Sequence, residues 1–204
     1  MGYSAAQIGN LALSYCGVSK QITSLTDDDS VEASICNLHY TATRDTLLER
    51  FAWPFATKYA ELQLVQEFED GDEEFTDWAF SYQLPNDCLT VRRIKTGLGR
   101  QDPDPIPFTL KQSDQGLLLL TDAETPVIEY TFRFDDAKFF SPTFAKCLAW
   151  ALAAEISFAL SVSEQVRQRA LEMAERSLSQ AKVAALNSTQ VSPPLDSSFL
   201  QARE

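Results

Sequence analysis

Arg44-Asp45-Thr46-Leu47-Leu48-Glu49-Arg50-Phe51-Ala52-Trp53-Pro54-Phe55-Ala56 is the stretch on which the fold turns. Before it, apolar residues recur at helical spacing, with Val31, Ile35, Leu38, Ala42 and Leu48 forming one expected face. Trp53-Pro54 stops that helix, because a proline drives the residue before it out of the α region. Just beyond, Thr57 to Val65 alternates apolar and polar residues, the spacing of a strand. The chain therefore leaves a helical layer here and begins a β layer.

Toward the N-terminus, Ile8, Leu11, Ala12 and Tyr15 predict a helix over 4–16, and Gly17 suits the position after its end. A loop carrying Asp27-Asp28-Asp29 follows, and Ser30 or Asp29 is placed to cap the second helix. Toward the C-terminus, Trp78 to Tyr82, Thr90 to Thr96, Phe108 to Gln112, Leu117 to Thr121 and Val127 to Phe134 are further strand candidates. Ser113-Asp114-Gln115-Gly116 reads as a hairpin turn. Two segments read as mobile loops: the acid-rich Glu67 to Asp77 and the Gly/Asp/Pro-rich Gly97 to Pro107.

Helix returns after Ser141, with Pro142 in its first turn, and is expected to reach Leu160. Ser161 and Glu164 are spaced as a capping box for a last helix ending near Asn187. Its apolar stripe is Val166, Ala170, Met173, Ala174, Leu178, Ala181 and Ala185. The order predicts an α+β fold: a helical bundle formed by N- and C-terminal helices, an inserted antiparallel β subdomain, and an extended C-terminal tail. The expected organisation is one domain over 1–187, with the bundle in 1–56 and 137–187 and the β insertion in 57–136. Residues 188–204 form an arm too short for a core of its own.

The chain has 204 residues, with 29 Asp and Glu against 17 Lys and Arg, a formal net charge of −12. Gripping nucleic acid through phosphates requires the opposite balance. Cys16, Cys36, Cys88 and Cys147 are far apart and lack a Cys-x-x-Cys pair, so they read as reduced core residues. The N-terminus has neither a basic region nor an apolar run, so no signal peptide is expected. The apolar helix from Phe144 carries Lys146 and Glu155, which makes it a core helix rather than a membrane span. A soluble protein made in the cytoplasm is the expectation.

Chemistry-bearing residues are sparse. His39 is the only histidine and lies three residues after Cys36, a loose pair where structural zinc sites use tight ones. No serine sits in a Gly-x-Ser-x-Gly elbow, and Gly97-Leu98-Gly99-Arg100 lacks the helix and Lys-Ser/Thr of a phosphate loop. Carboxylates abound, but a general acid needs a desolvated pocket and an acidic run is usually a solvated face. The aromatics Phe51, Trp53, Phe55, Trp78, Phe80, Tyr82, Phe139, Phe140, Phe144, Trp150 and Phe158 lack the interleaved bases of a stacking platform and read as core and junction. No catalytic residue, cofactor or metal is therefore expected.

Five motifs in order resemble one family: Arg44-Asp45-x-Leu47-Leu48 running to Trp53-Pro54-Phe55-Ala56, Tyr82-x-Leu84-Pro85-x-Asp87-Cys88-Leu89, the strand from Tyr130 to Asp136, Phe140-x-Pro142-x-Phe144 leading into an Ala-rich helix, and the Gln165 to Ala185 helix with Gln180-Ala181-Lys182. The family is the head-to-tail adaptor of short-tailed bacteriophages, tail tubular protein A, and the resemblance spans about 1–187. It implies a virion protein, assembled in the host cytoplasm, whose copies form a dodecameric ring between the portal protein and the tail nozzle protein. The genome would pass through the centre during ejection without specific binding, and an acidic lumen would repel its phosphates. The arm, through Pro193, Pro194, Leu195, Phe199 and Leu200, is expected to bind the portal. Two alternatives come from other classes: a tail-associated peptidoglycan hydrolase using a carboxylate pair, and an acidic DNA-mimic inhibitor.

Overall fold

The computed structural model describes residues 2–68, 77–97, 104–114 and 116–188. Four helices and seven strands follow the expected order: α1 (Ala5–Tyr15), α2 (Val31–Glu49), β1 (Thr57–Glu61), β2 (Gln63–Glu67), β3 (Phe80–Gln83), β4 (Cys88–Ile94), β5 (Thr109–Ser113), β6 (Gly116–Thr121), β7 (Val127–Phe132), α3 (Pro142–Ile156) and α4 (Glu164–Ser188). The protein is α+β, with antiparallel pairing in both sheets.

Each helix start has a local cause. Ser4 and Gln7 form a capping box on α1, and Gly17 ends that helix at φ +79°, a backbone conformation that glycine adopts at little cost. Ser30, not Asp29, caps α2, and Ser141 caps α3 ahead of Pro142. At α4 the expected Ser161–Glu164 box does not form. Ser161 is left-handed at φ +52° and the Ser163 hydroxyl accepts from Val166 N–H at 3.4 Å. The preceding helix also stops earlier than expected, at Ile156, because residues 157–161 turn the chain back toward α4.

Helix α3 is buried on most sides, through Phe144, Cys147, Leu148, Trp150, Leu152 and Ile156, and packs against the other three helices. The α4 stripe holds: Ala170, Leu178 and Ala181 are buried, joined by Ser177. The α2 face differs from expectation. Its buried line is Ala33, Cys36, Tyr40, Thr43, Arg44, Leu47 and, as expected, Leu48, with Ile35 partly buried, while Val31, Leu38 and Ala42 are exposed. Counting only apolar residues misplaced the stripe, because polar-tipped Tyr40 and Arg44 occupy the inward positions.

The strands form two sheets, in the order β1-β7-β4 and β2-β3-β6-β5. Thr57 to Val65, expected as one strand, is two. The chain breaks at buried Leu62, whose N–H donates to Pro126 O at 3.1 Å, and passes from the first sheet to the second. A second core of Leu62, Tyr82, Leu84, Val91, Ile94, Leu119, Ile128 and Tyr130 lies between the sheets. Trp53, Phe55, Phe134, Phe140 and Phe144 join bundle and sheets, with Trp53–Phe144 and Phe140–Phe144 ring centroids both 4.9 Å apart in edge-to-face contact. Phe139 and Phe158, expected in the core or junction, are exposed. The acid-rich and Gly/Asp/Pro-rich loops lie largely outside the described residues, at 69–76 and 98–103, as does the arm from 189 onward.

Candidate interaction surfaces

The motif residues converge on the joint between bundle and sheets. Arg44, buried on α2, donates through Nε to Asp45 Oδ1 at 2.8 Å, and Asp45 Oδ2 accepts from Arg133 Nε at 3.0 Å. The Arg133 N–H donates to Asp87 O at 2.7 Å. The Asp87 carboxylate in turn accepts from Lys58 Nζ at 2.8 Å and from the Tyr130 hydroxyl at 3.1 Å. Burial alone would raise the Asp87 pKa, but the bonds from Lys58 and Tyr130 outweigh it and hold the carboxyl below its ordinary value. Burial, then the neighbouring Asp87 charge, pushes Tyr130 up to about 12. These groups use their hydrogen bonds on one another, and the network orients strands against a helix.

A further residue of the joint had no signal in the sequence. Arg92 on β4 donates from Nη2 to the carbonyls of Leu48 at 3.1 Å, Glu49 at 2.9 Å and Phe51 at 2.9 Å, and from Nε to Thr131 Oγ1 at 2.8 Å. The C-terminal carbonyls of α2 carry partial negative charge and lack intrahelical donors. One guanidinium satisfies several of them from the sheet. Only the folded topology brings a residue some 40 positions downstream to that helix end.

His39 lines a groove of about 410 Å³ between α2, α3 and α4, with Thr46, Arg50, Glu155, Leu171 and Glu175 around it. Cys36, its sequence neighbour in the loose pair, is wholly buried in the bundle core. Burial pushes the thiols of Cys16, Cys36 and Cys147, and of half-buried Cys88, up to about 11, so all four stay protonated near neutrality. Among the described residues, no three His, Cys, Asp or Glu gather around a point that could hold a metal. The groove carboxylates do not form a desolvated pair: Glu155 is exposed, and Glu175 is exposed and bonded to Arg50 at 2.9 Å. Outside the groove, the one buried carboxylate among the described residues, Glu129, pairs with Arg93 at 2.8 Å inside the first sheet.

Apolar surface is left open in two places. Leu38, Phe158 and Leu171 are exposed on the bundle; Leu64, Leu110 and Leu117 are exposed on the second sheet. The sheet patch lies in alternating strands, where periodicity alone does not separate an outer edge from a buried strand. Pro193, Pro194, Leu195, Phe199 and Leu200 lie outside the described residues. Among the described residues no helix is long and apolar enough to cross a membrane. No protein-family model matches this chain, and no curated protein matches it at a significant level.

Proposed function

We propose that the protein is a structural component of a short-tailed phage virion, a head-to-tail adaptor whose copies form a ring between portal and tail nozzle. The observation that carries this is where the motif residues fall. Arg44, Asp45, Asp87 and Tyr130, which carry the resemblance, belong to the polar network whose Asp45–Arg133 bond links the bundle to the β insertion, and Trp53 packs at the same joint. The resemblance is thus one of architecture, the property an assembly protein preserves. A net charge of −12 suits a channel through which DNA slides without binding. The proposed role needs no catalytic residue, cofactor or metal. A carboxylate-pair hydrolase finds no support in the groove, where Glu175 is engaged by Arg50.

Ring formation is conditional on the portal, because bringing together copies of charge −12 costs repulsion that partner contacts must offset. Mass photometry of the purified chain, alone and mixed with the portal protein of the same phage, tests this. Monomers alone and a ring of about a dozen copies on the portal are expected, the copy number being the one the resemblance implies. A chain that stays monomeric with the portal would overturn the adaptor assignment. A closed ring formed alone at micromolar concentration and physiological salt would overturn the dependence on the portal.

A further inference from the structure

The second sheet ends on both sides in a strand that is exposed along its length: all five residues of β2, and four of the five of β5. One row of directly paired side chains crosses the whole sheet, Leu64–Tyr82–Leu119–Leu110. Its centre is sealed, with Tyr82 1% and Leu119 0% exposed, yet its two ends are open, with Leu64 52% and Leu110 42% exposed. A row buried in the middle and apolar at each edge is one that a neighbouring strand would extend.

The main chain agrees. In a two-residue hairpin the closing pair, here Ser113 and Gly116, is a hydrogen-bonding pair, and antiparallel pairs alternate from there. That alternation turns the main-chain groups of Leu110 away from β6. Carried through the unshifted β6–β3 ladder and into β2, it turns those of Leu64 outward as well.

We propose that copies of the chain join head to tail, β5 of one pairing with β2 of the next, so that Leu110 faces Leu64 and the two sheets become one. This rests on the side-by-side assembly argued above and names its contact. Three antiparallel steps separate β2 from β5, so the two edge strands run in opposite directions and the junction is antiparallel like the rest of the sheet. Charge selects unlike edges over like ones. The β5 strand carries Lys111 and no acid, with Asp114 just past its end, whereas β2 carries Glu67 and no base, with Glu61 at the end of β1 two residues before it. Pairing β2 with β2 would set acids against acids; β5 against β2 sets a base near acids. A heterologous contact of this kind propagates to a ring when its rotation closes. The extra residue Val65 in β2 bends that edge, as a sheet that curves into a ring requires.

The test uses two populations of the full chain in a Cys88→Ser background, one with Leu64→Cys and one with Leu110→Cys. They are held at several hundred micromolar in about 0.15 M NaCl, where a screening length of about 8 Å damps the repulsion between whole copies but leaves the charges that meet at the edge effective. Oxidation of the mixture is expected to give at least tenfold more covalent dimer than either population alone. Equal yield from a single population, or no excess from the mixture, overturns the proposal. A second variant removes only the outward main-chain donor: Leu110→Pro takes away an N–H that β6 does not use. It is expected to abolish association, with the melting temperature within about 3 °C of the parent, roughly 1 kcal/mol in a chain of this length. Association of Leu110→Pro at the parent's level overturns the edge pairing. Copies that ring on the portal without the Leu64–Leu110 bridge overturn it too, and leave the adaptor assignment standing; copies that never assemble overturn both.

Discussion

Replacing Arg92 by methionine isolates what holds the bundle to the sheets. The methionine keeps most of the aliphatic stem and removes four hydrogen bonds: two to the last α2 carbonyls, of Leu48 and Glu49, one to the Phe51 carbonyl just past the helix, and one to Thr131. Hydrogen bonds to a charged group contribute about 1.5–3 kcal/mol each when buried. The sum overstates the loss here. Nη2 has two hydrogens for its three carbonyls, and the exposed Glu49 bond can be replaced by water, so about two bonds count. Arg92 is itself partly exposed, which puts each at the low end, about 3 kcal/mol together. Adding the helix-end charge term of about 0.3–1 kcal/mol, the variant should lose about 3–4 kcal/mol. For a chain of this size that lowers the melting temperature by about 6–16 °C. Arg92→Lys separates charge from geometry. One ammonium keeps the favourable charge but cannot span three carbonyls and a hydroxyl, so about half the loss should remain. Thermal melts by circular dichroism, with hydrogen exchange at the last turn of α2, measure both effects. A methionine variant within 2 °C of the parent, or a lysine variant equal to it, would refute the bridging role.

The remaining predictions concern the two cores. Trp53 is wholly buried, its Nε1–H donating to Leu47 O at 2.8 Å, so Trp53→Ala should lose about 3–5 kcal/mol by urea unfolding; an unchanged midpoint would show that the joint does not depend on it. The Tyr40 hydroxyl is buried without a partner among the described residues, so Tyr40→Phe should be neutral or gain up to about 1 kcal/mol. A loss above that value would reveal a bond the hydroxyl makes. Cys16, Cys36 and Cys147 have folded pKa values raised to about 11 and Tyr40 to about 12. Groups raised in the fold contribute stability that is complete below their unfolded pKa, about 8.5 for cysteine, and lost as pH rises through the folded value. The urea midpoint should therefore fall between pH 8 and pH 11, and a flat profile there would count against buried thiols. Asp87 has the opposite sign: its lowered pKa contributes stability above about pH 4 that is lost as pH falls through the folded value, and Asp87→Asn should flatten that acid limb.

What the sequence made legible follows from what periodicity reports. The helix–strand switch at Trp53-Pro54, a cap at Ser30 or Asp29, Pro142 in the first turn of α3, and the α4 stripe all depend on neighbours within a turn or two. The α2 face was misread because its inward positions include Tyr40 and Arg44, and an apolar count assigns such residues outward. Arg44 is tolerated inside only because Asp45 meets it and is itself shared with Arg133, 88 positions away. The break at Leu62 was illegible for a related reason. Alternation runs straight through it, and only pairing with β7 on one side and β3 on the other shows that two sheets are being built.

The same contrast bears on function. Motifs composed of Arg, Asp, Tyr and Lys ordinarily invite a search for a ligand. Here Arg44 pairs with Asp45 on α2, Lys58 and Tyr130 pair with Asp87 beside the sheet, and Arg133 links the two groups across the joint. Their worth is mechanical. In the proposed adaptor, which would carry load between two partners, polar bonds between α2 and the first sheet would keep the subdomains in fixed relation with more directional specificity than apolar contact alone. The outward β5 and β2 edges are attached to the same frame, through the core shared by the two sheets. Under the proposed edge pairing, a contact made there would fix the bundle as well, and loosening Arg92 or Asp45 should blur the orientation of neighbouring copies before it unfolds any one of them.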